Sequence, residues 1–208
     1  MFFTVERRVE ALIEVKRSKF LAVVERAASE EAARAVIATA RSANPVARHH
    51  CSAFVIGDVP GNLILRTNDD GEPSGTAGGP MLDVLVGREM TNVVAVVTRW
   101  FGGVKLGTGG LARAYGDAVT HALENARLLR RERRELLQVQ LDYTEVGRVE
   151  SELRARGIGI VSIDYRSRAV MTVQVEDVDA VIGLLAGLTG GTARPGVVGH
   201  TYVESALL

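Results

Sequence analysis

The chain has 208 residues, 47% apolar and 24% charged, with 25 cations against 25 anions. This is the composition of an ordinary globular protein, long for one domain and comfortable for two, and its zero net charge excludes bulk attraction to nucleic acid or anionic membrane, leaving only local patches. A single cysteine, Cys51, excludes an internal disulfide and fits a reducing cytoplasm.

The opening MFFTVERRVEAL meets Glu6, Arg7 and Arg8 before any apolar run, so it is not read as a signal peptide. No stretch approaches the roughly 18 uninterrupted apolar residues of a membrane span. Two extended stretches are expected over about 4–15 and 18–27. Ser29 then offers an N-cap, with Glu30 and Glu31 in the first turn; Ala33, Val36, Ile37 and Ala40 recur at helical spacing, and Asn44-Pro45 ends that helix. CSAFVIG and LILRT read as strands joined through DVPGN. The segment 68–80, NDDGEPSGTAGGP, is a loop by its acids, glycines, prolines and hydroxyls, with Ser74 and Thr76 as candidate caps for a helix from about Ala77 to Glu89.

NVVAVVT is a buried strand, and TRWFGGVKLGTGG leads from it into the clearest helix of the chain. There Leu111, Ala114, Tyr115, Ala118, Val119 and Ala122 form one apolar stripe, while Arg113, Asp117 and Glu124 fill the polar side. The run RLLRRERRE, 127–135, is expected as a cationic helix end followed by a linker. Beyond it the order is strand (ELLQVQLDY), helix at about 144–156, strands GIVSIDY and AVMTVQV turning at Arg166-Ser167, helix over about 177–188, and strand GVVGHTYVE. That is the split βαβ, ferredoxin-like order. The expected fold class is therefore α+β in two domains, 1–130 and 132–208.

Chemistry concentrates in two loops. Gly102 and Gly103 follow two bulky aromatics, Trp100 and Phe101, and glycines there permit positive φ and close backbone approach. Gly107, Gly109 and Gly110 open the long helix, with Thr108 as the expected N-cap. Unpaired N–H groups and partial positive charge at a helix start suit a phosphate or carboxylate, and Arg99, Lys105 and Arg113 could add full charges. The expectation is an anion held near Gly109; the alternative is a tight turn whose glycines serve only the backbone. Walker-A spacing from Gly102 to Gly107 fails because Thr108 stands where lysine is required. The G-x-G-x-x-A match at Gly107, Gly109 and Ala112 fails because no acid ends a second strand about 20 residues on.

In the acidic loop, Asp69, Asp70, Glu72, Ser74 and Thr76 are candidate binding residues, and the carboxylates could bind a cation or act as acid and base, but Asp-Gly and Glu-Pro are also ordinary turn formers. The segment lacks EF-hand alternation and is not a nucleophile elbow. His49-His50-Cys51 does not make a zinc site, since neighbours on a strand point to opposite faces and no second pair supplies the missing ligands. No metal or cofactor is expected.

DDGEPSGTAGGPMLDVL (69–85) followed by NVVAVVTRWFGGVKLGTGGLARAY (92–115) resembles the YigZ/IMPACT family, with KRSKFLA (16–22) and HHCSAFVIGD (49–58) in support. The match covers about 1–125, and the remainder resembles the DUF1949 domain of bacterial members. The resemblance implies a first domain like the second domain of a small-subunit ribosomal protein, a fold shared with GHMP kinases, and a second like the fifth domain of elongation factor G. It implies a setting in translation, since eukaryotic members restrain a stress kinase of initiation by competing for its activator. No catalytic residues carry over. What transfers is the signature, including Gly71, Pro73, Gly75 and Leu106 beside the loop residues above; Trp100 stands where members often carry Tyr. The function expected is that of a non-catalytic translation regulator or ribosome-associated factor, binding RNA or a partner through the glycine loop. The alternatives are an enzyme working between loops 69–76 and 99–110, as a phosphotransferase or hydrolase, and a pure protein-interaction regulator.

Overall fold

The computed structural model describes residues 2–207, which fall into two compact units. One runs to Arg131 and takes back a segment from Glu204; the other is Glu132–Val203. Strands β1 (Phe2–Val5), β2 (Val9–Val15) and β3 (Ser18–Arg26) open the chain. The first expected stretch is thus two strands, broken where Glu6, Arg7 and Arg8 stand exposed. Helix α1 (Glu30–Ala43) follows, then β4 (His49–Ile56), β5 (Ile64–Asn68), α2 (Gly78–Gly87), β6 (Val93–Trp100) and α3 (Thr108–Glu124).

Five of these strands form an antiparallel sheet in the order β2-β3-β6-β4-β5. Its central strands are apolar on both sides because both faces are covered. Ala95 and Val97 of β6 pack with Met81, Leu85, Leu111 and Tyr115 from α2 and α3. Val94 and Val96 pack instead with Ala33 and Ala40 of α1. α1 is capped as its sequence predicts, Ser29 Oγ accepting from the Ala32 N–H at 3.2 Å. The Asn44 N–H closes the other end on the Arg41 carbonyl.

Residues 127–135 correct the expectation made for them. They open β7 (Leu128–Leu141), a long strand rather than a helix end and linker. Leu128–Arg131 pair with β1, and the largely covered Arg131 side chain is neutralised by Asp58 and Glu204. Long-range ion pairs of this kind leave no local periodicity to read.

In the second unit β7 is followed by α4 (Tyr143–Ala155), β8 (Gly159–Tyr165), β9 (Ala169–Val175), α5 (Val178–Leu188) and β10 (Gly196–Ala206). The strands lie in the order β10-β7-β9-β8. Leu137, Val139 and Leu141 of β7 alternate into a core with Met171 and Val173 of β9, Val149 and Leu153 of α4, and Leu185 of α5. The alternate residues Gln138 and Gln140 are exposed. Among the described residues no helix is long and apolar enough to cross a membrane.

Candidate functional site

Antiparallel register gathers the signature segments at one end of the five-stranded sheet. Lys19 at the start of β3 lies opposite Trp100 at the end of β6, His49 at the start of β4 lies opposite Arg99, and Ser52 lies opposite Asn68 at the end of β5. The loops 69–77 and 101–107 therefore leave from the same end, and α2 and α3 begin there.

The acidic loop is fastened to the protein by its own carboxylates. Asp69 accepts from the backbone N–H groups of Gly75 (2.8 Å), Ala77 (3.0 Å) and Gly78 (2.8 Å). Burial opposes its ionisation, but these three donors outweigh it and hold the Asp69 carboxyl below the usual range. Asp69 thus caps α2, the role expected of Ser74 or Thr76. Ser74 is exposed, and the Thr76 hydroxyl donates to the Pro73 carbonyl at 2.6 Å instead. Asp70, at φ 43°, accepts from the His50 N–H at 2.7 Å and from Arg41 at 2.8 Å.

Glu72 turns inward. One oxygen, Oε1, accepts from Arg99 Nη1 at 2.6 Å and from the Tyr115 hydroxyl at 2.7 Å, and both members of the ion pair are buried. Arg99 is therefore not the phosphate contact its place beside the glycine loop suggested. It shares a face of the sheet with its cross-strand neighbour Phe20, and its guanidinium lies 5.5 Å from that ring's centre and 5.7 Å from that of Phe101. Pairing with Glu72 neutralises the buried cation, as burial requires.

Burial shifts the titratable groups here, keeping the Cys51 thiol and Tyr115 phenol protonated and the His50 imidazole neutral. Burial pushes the Cys51 thiol up to about 12, and its Sγ donates to the Asp69 carbonyl at 3.0 Å. Burial, then the adjoining Cys51, raises the Tyr115 phenol as well, so it remains a donor. Burial, then Arg41, lowers the His50 imidazole, whose Nδ1 meets the Thr98 hydroxyl at 3.1 Å. His49 Nδ1 lies 2.9 Å from the Asp70 carbonyl, which can only accept, so that nitrogen carries the proton. Among the described residues no cluster of three or more His, Cys, Asp or Glu side chains could hold a metal ion.

The glycine loop is built differently. A Cβ on Gly102 would lie 2.0 Å from the Arg17 carbonyl carbon, so glycine is what lets the β2–β3 turn close on this loop. The Gly102 N–H donates to Ser18 Oγ at 3.1 Å. Gly103 and Gly107 both have positive φ, 85° and 74°. The N-cap of α3 is Gly107, one residue before the expected Thr108, and no side chain caps it. The Leu111 N–H reaches the Gly107 carbonyl at 2.9 Å, whereas those of Thr108, Gly109 and Gly110 meet no protein acceptor among the described residues. Lys105 and Arg113 are exposed beside them. Phe101 is 55% exposed, and Trp100 is half-buried next to Lys19 on β3.

Three further cations join this end that the sequence did not single out: Lys16 and Arg17 in the β2–β3 turn, and Lys19 on β3, all exposed. Among the described residues none of the five has a carboxylate within 4.0 Å. The motif KRSKF was their available signal. What hid it was distance in sequence, since strand pairing joins them to residues about eighty positions away.

The model of the Impact N-terminal domain matches residues 16–123, and that of the domain of unknown function DUF1949 matches 139–192. The chain is 38% identical over 208 residues to the IMPACT family member YvyE of Bacillus subtilis, covering 99% of this chain and 95% of that one. It is 37% identical over 165 residues to the IMPACT family member YigZ of Escherichia coli, covering 79% and 81%. Among solved structures, the crystal structure of a hypothetical protein superposes with a TM-score of 0.67 at 33% identity, over 95% of this chain and 97% of the other.

Proposed function

The chain belongs to the IMPACT family, and from that premise we propose that it is a non-catalytic regulator of translation whose first unit binds RNA at the glycine-loop end. One observation carries this reading: five unpaired exposed cations (Lys16, Arg17, Lys19, Lys105 and Arg113) surround an exposed Phe101 and the uncapped start of α3. Cations and oriented amides contact phosphates, and an aromatic ring offers a stacking face for an unpaired base. A phosphate of the strand would sit near Gly109, where three N–H groups have no protein acceptor among the described residues. A zero net charge makes this a local and salt-sensitive attraction.

The non-catalytic part of the reading is supported by the state of the reactive groups. The Cys51 thiol stays protonated, and the loop carboxylates are engaged by Arg41, Arg99 and backbone donors. The reading extends to the fold. The strand order β10-β7-β9-β8 supports a ferredoxin-like domain over 132–208 resembling the fifth domain of elongation factor G. Residues 1–130 are proposed to share the fold of the second domain of a small-subunit ribosomal protein. The setting proposed is the cytoplasm.

The test is a salt titration against transfer RNA, ribosomal RNA fragments and whole ribosomes. The logarithm of affinity should fall linearly with that of salt concentration, and Lys105→Ala with Arg113→Ala should reduce the slope by about 1 for each phosphate no longer neutralised. No RNA binding even at low salt overturns the RNA assignment. Capture of a ribosomal protein without RNA would then favour a protein-interaction regulator. Turnover of a phosphate ester that disappears in Asp70→Ala would replace the reading by an enzymatic one.

A further inference from the structure

The second unit carries a cleft of about 400 Å³ at one end of its sheet, lined by Gln138 and Gln140 of β7, Arg168 of the β8–β9 turn, Thr192 and Arg194 of the α5–β10 connection, and Val198 of β10. Its size falls within the roughly 300–1,000 Å³ of small-ligand sites. Gln138 and Gln140 stand on the sheet face turned away from Leu137, Val139 and Leu141, which bury themselves under the helices. Two side chains on one strand face stand about 7 Å apart, so the two carboxamides present a short row of donors and acceptors.

We propose that this cleft binds a nucleotide, its phosphate held by Arg168 and Arg194 and its base edge by the carboxamides of Gln138 and Gln140. Charge carries the first half of the assignment. Among the described residues no carboxylate lines the cleft, while two guanidinium groups do. Arg194 is held by neutral groups, the carbonyls of Gly191 (2.9 Å) and Ala193 (3.5 Å), so it is oriented without a carboxylate partner among these contacts. Arg168 pairs with Asp142 at 3.0 Å, but that carboxylate is 65% exposed, and an exposed pair contributes little. An arriving phosphate can replace it with a two-pronged contact.

Chemistry of the carboxamides carries the second half. A carboxamide both donates and accepts, which suits the mixed edges of nucleobases and is more than a bare inorganic anion uses. The same unit of phosphate and base occurs free and in a single strand. The cleft shares no residue with the cationic end of the first unit, so the two assignments stand or fall separately.

The test follows the side-chain amide signals of Gln138 and Gln140 in the isotope-labelled full-length chain during titration with uridine and adenosine monophosphates, inorganic phosphate and a short single-stranded RNA. Saturable shifts with the mononucleotides are expected. Arg168→Ala with Arg194→Ala should weaken binding about tenfold or more, a loss of about 1.4 kcal/mol. Gln138→Ala with Gln140→Ala, followed instead through the backbone amide signals of Thr192 and Arg194 in the same lining, should weaken nucleotide binding while leaving phosphate binding unchanged. RNA binding tighter than mononucleotide binding marks a strand as the occupant, and equal affinities mark a free nucleotide. The proposal is overturned if neither the mononucleotides nor the RNA shifts these signals, or if phosphate binds as tightly as the nucleotides. It is also overturned if the shifts vanish in Lys105→Ala with Arg113→Ala and survive the double arginine variant. Failure at the cleft with intact salt-dependent RNA binding would leave the first unit's role standing.

Discussion

The two loops at one end of the first unit have opposite economies of charge. Loop 69–77 carries three carboxylates, and each is occupied by the protein itself: Asp69 by α2 and the loop backbone, Asp70 by β4 and α1, Glu72 by Arg99 and Tyr115. Loop 101–107 has a closed side at Gly102 and an open side from Gly103 onward, where among the described residues the amides and Lys105 meet no internal partner. Polar richness alone does not distinguish a ligand loop from a structural one. The distinction lies in whether the chain already satisfies its own polar groups. Here the acidic loop acts as a brace, and the glycine loop is what it steadies.

Removing Glu72 is the hardest way to break that contrast. Glu72→Ala leaves the Arg99 guanidinium buried without its counter-charge, and losing one partner of such a pair costs about 3–5 kcal/mol. Urea unfolding should show a lower midpoint at unchanged slope. A loss within about 0.5 kcal/mol would mean that the brace is ornamental.

Gly102→Ala is next. Its new methyl meets backbone at Arg17 and Ser18, which cannot rotate aside, and overpacking of this kind costs about 1–3 kcal/mol. Gly103→Ala, with open space around it but φ at 85°, tests strain without a clash. The comparison sharpens if the first destabilises more than the second.

Asp69→Ala should cost about 0.5–2 kcal/mol, the worth of a helix cap. Its pH dependence has a definite sign. The native carboxyl is held below its ordinary value of 3.8, so its contribution is complete above about pH 4 and is lost as pH falls through the native value. Thermal melts at descending pH should therefore be steeper for the natural chain than for Asp69→Asn. Equal slopes would remove Asp69 from its capping role.

The smallest effect on stability belongs to the open side. Lys105→Ala with Arg113→Ala should leave unfolding within about 0.5 kcal/mol while lowering the salt dependence of RNA binding. A large loss of stability instead would show these cations to be structural, and the contrast between the loops would disappear.

How far each feature was visible beforehand depended on the reach of the interactions behind it. Helices α1 and α3 are written locally, by Ser29 and Asn44 at the ends of one and by the stripe from Leu111 to Ala122 in the other. The strand β7 of the second unit is written in hydrophobic alternation such as Leu137-Val139-Leu141. Residues 130–134 were illegible because both faces of that stretch are polar, and Arg131 is stabilised by Asp58 and Glu204, each 73 positions away. At the candidate site the glycines were plain to see, whereas the direction of Arg99 was not. Its neighbour across the sheet, Phe20, decides which way it faces. Asp69 as the cap of α2 escaped for a similar reason, since it reaches eight and nine residues ahead, beyond the usual capping interval.

The buried sulfur beneath the acidic loop makes the protein its own stopwatch. Cys51 is the chain's single thiol, fully enclosed and hydrogen-bonded to the backbone of Asp69. An alkylating reagent can reach it only when that segment lifts. Labelling rates under native conditions therefore time the lifting directly, and comparison with the rate of global unfolding tells whether the segment opens alone or only as the whole unit comes apart.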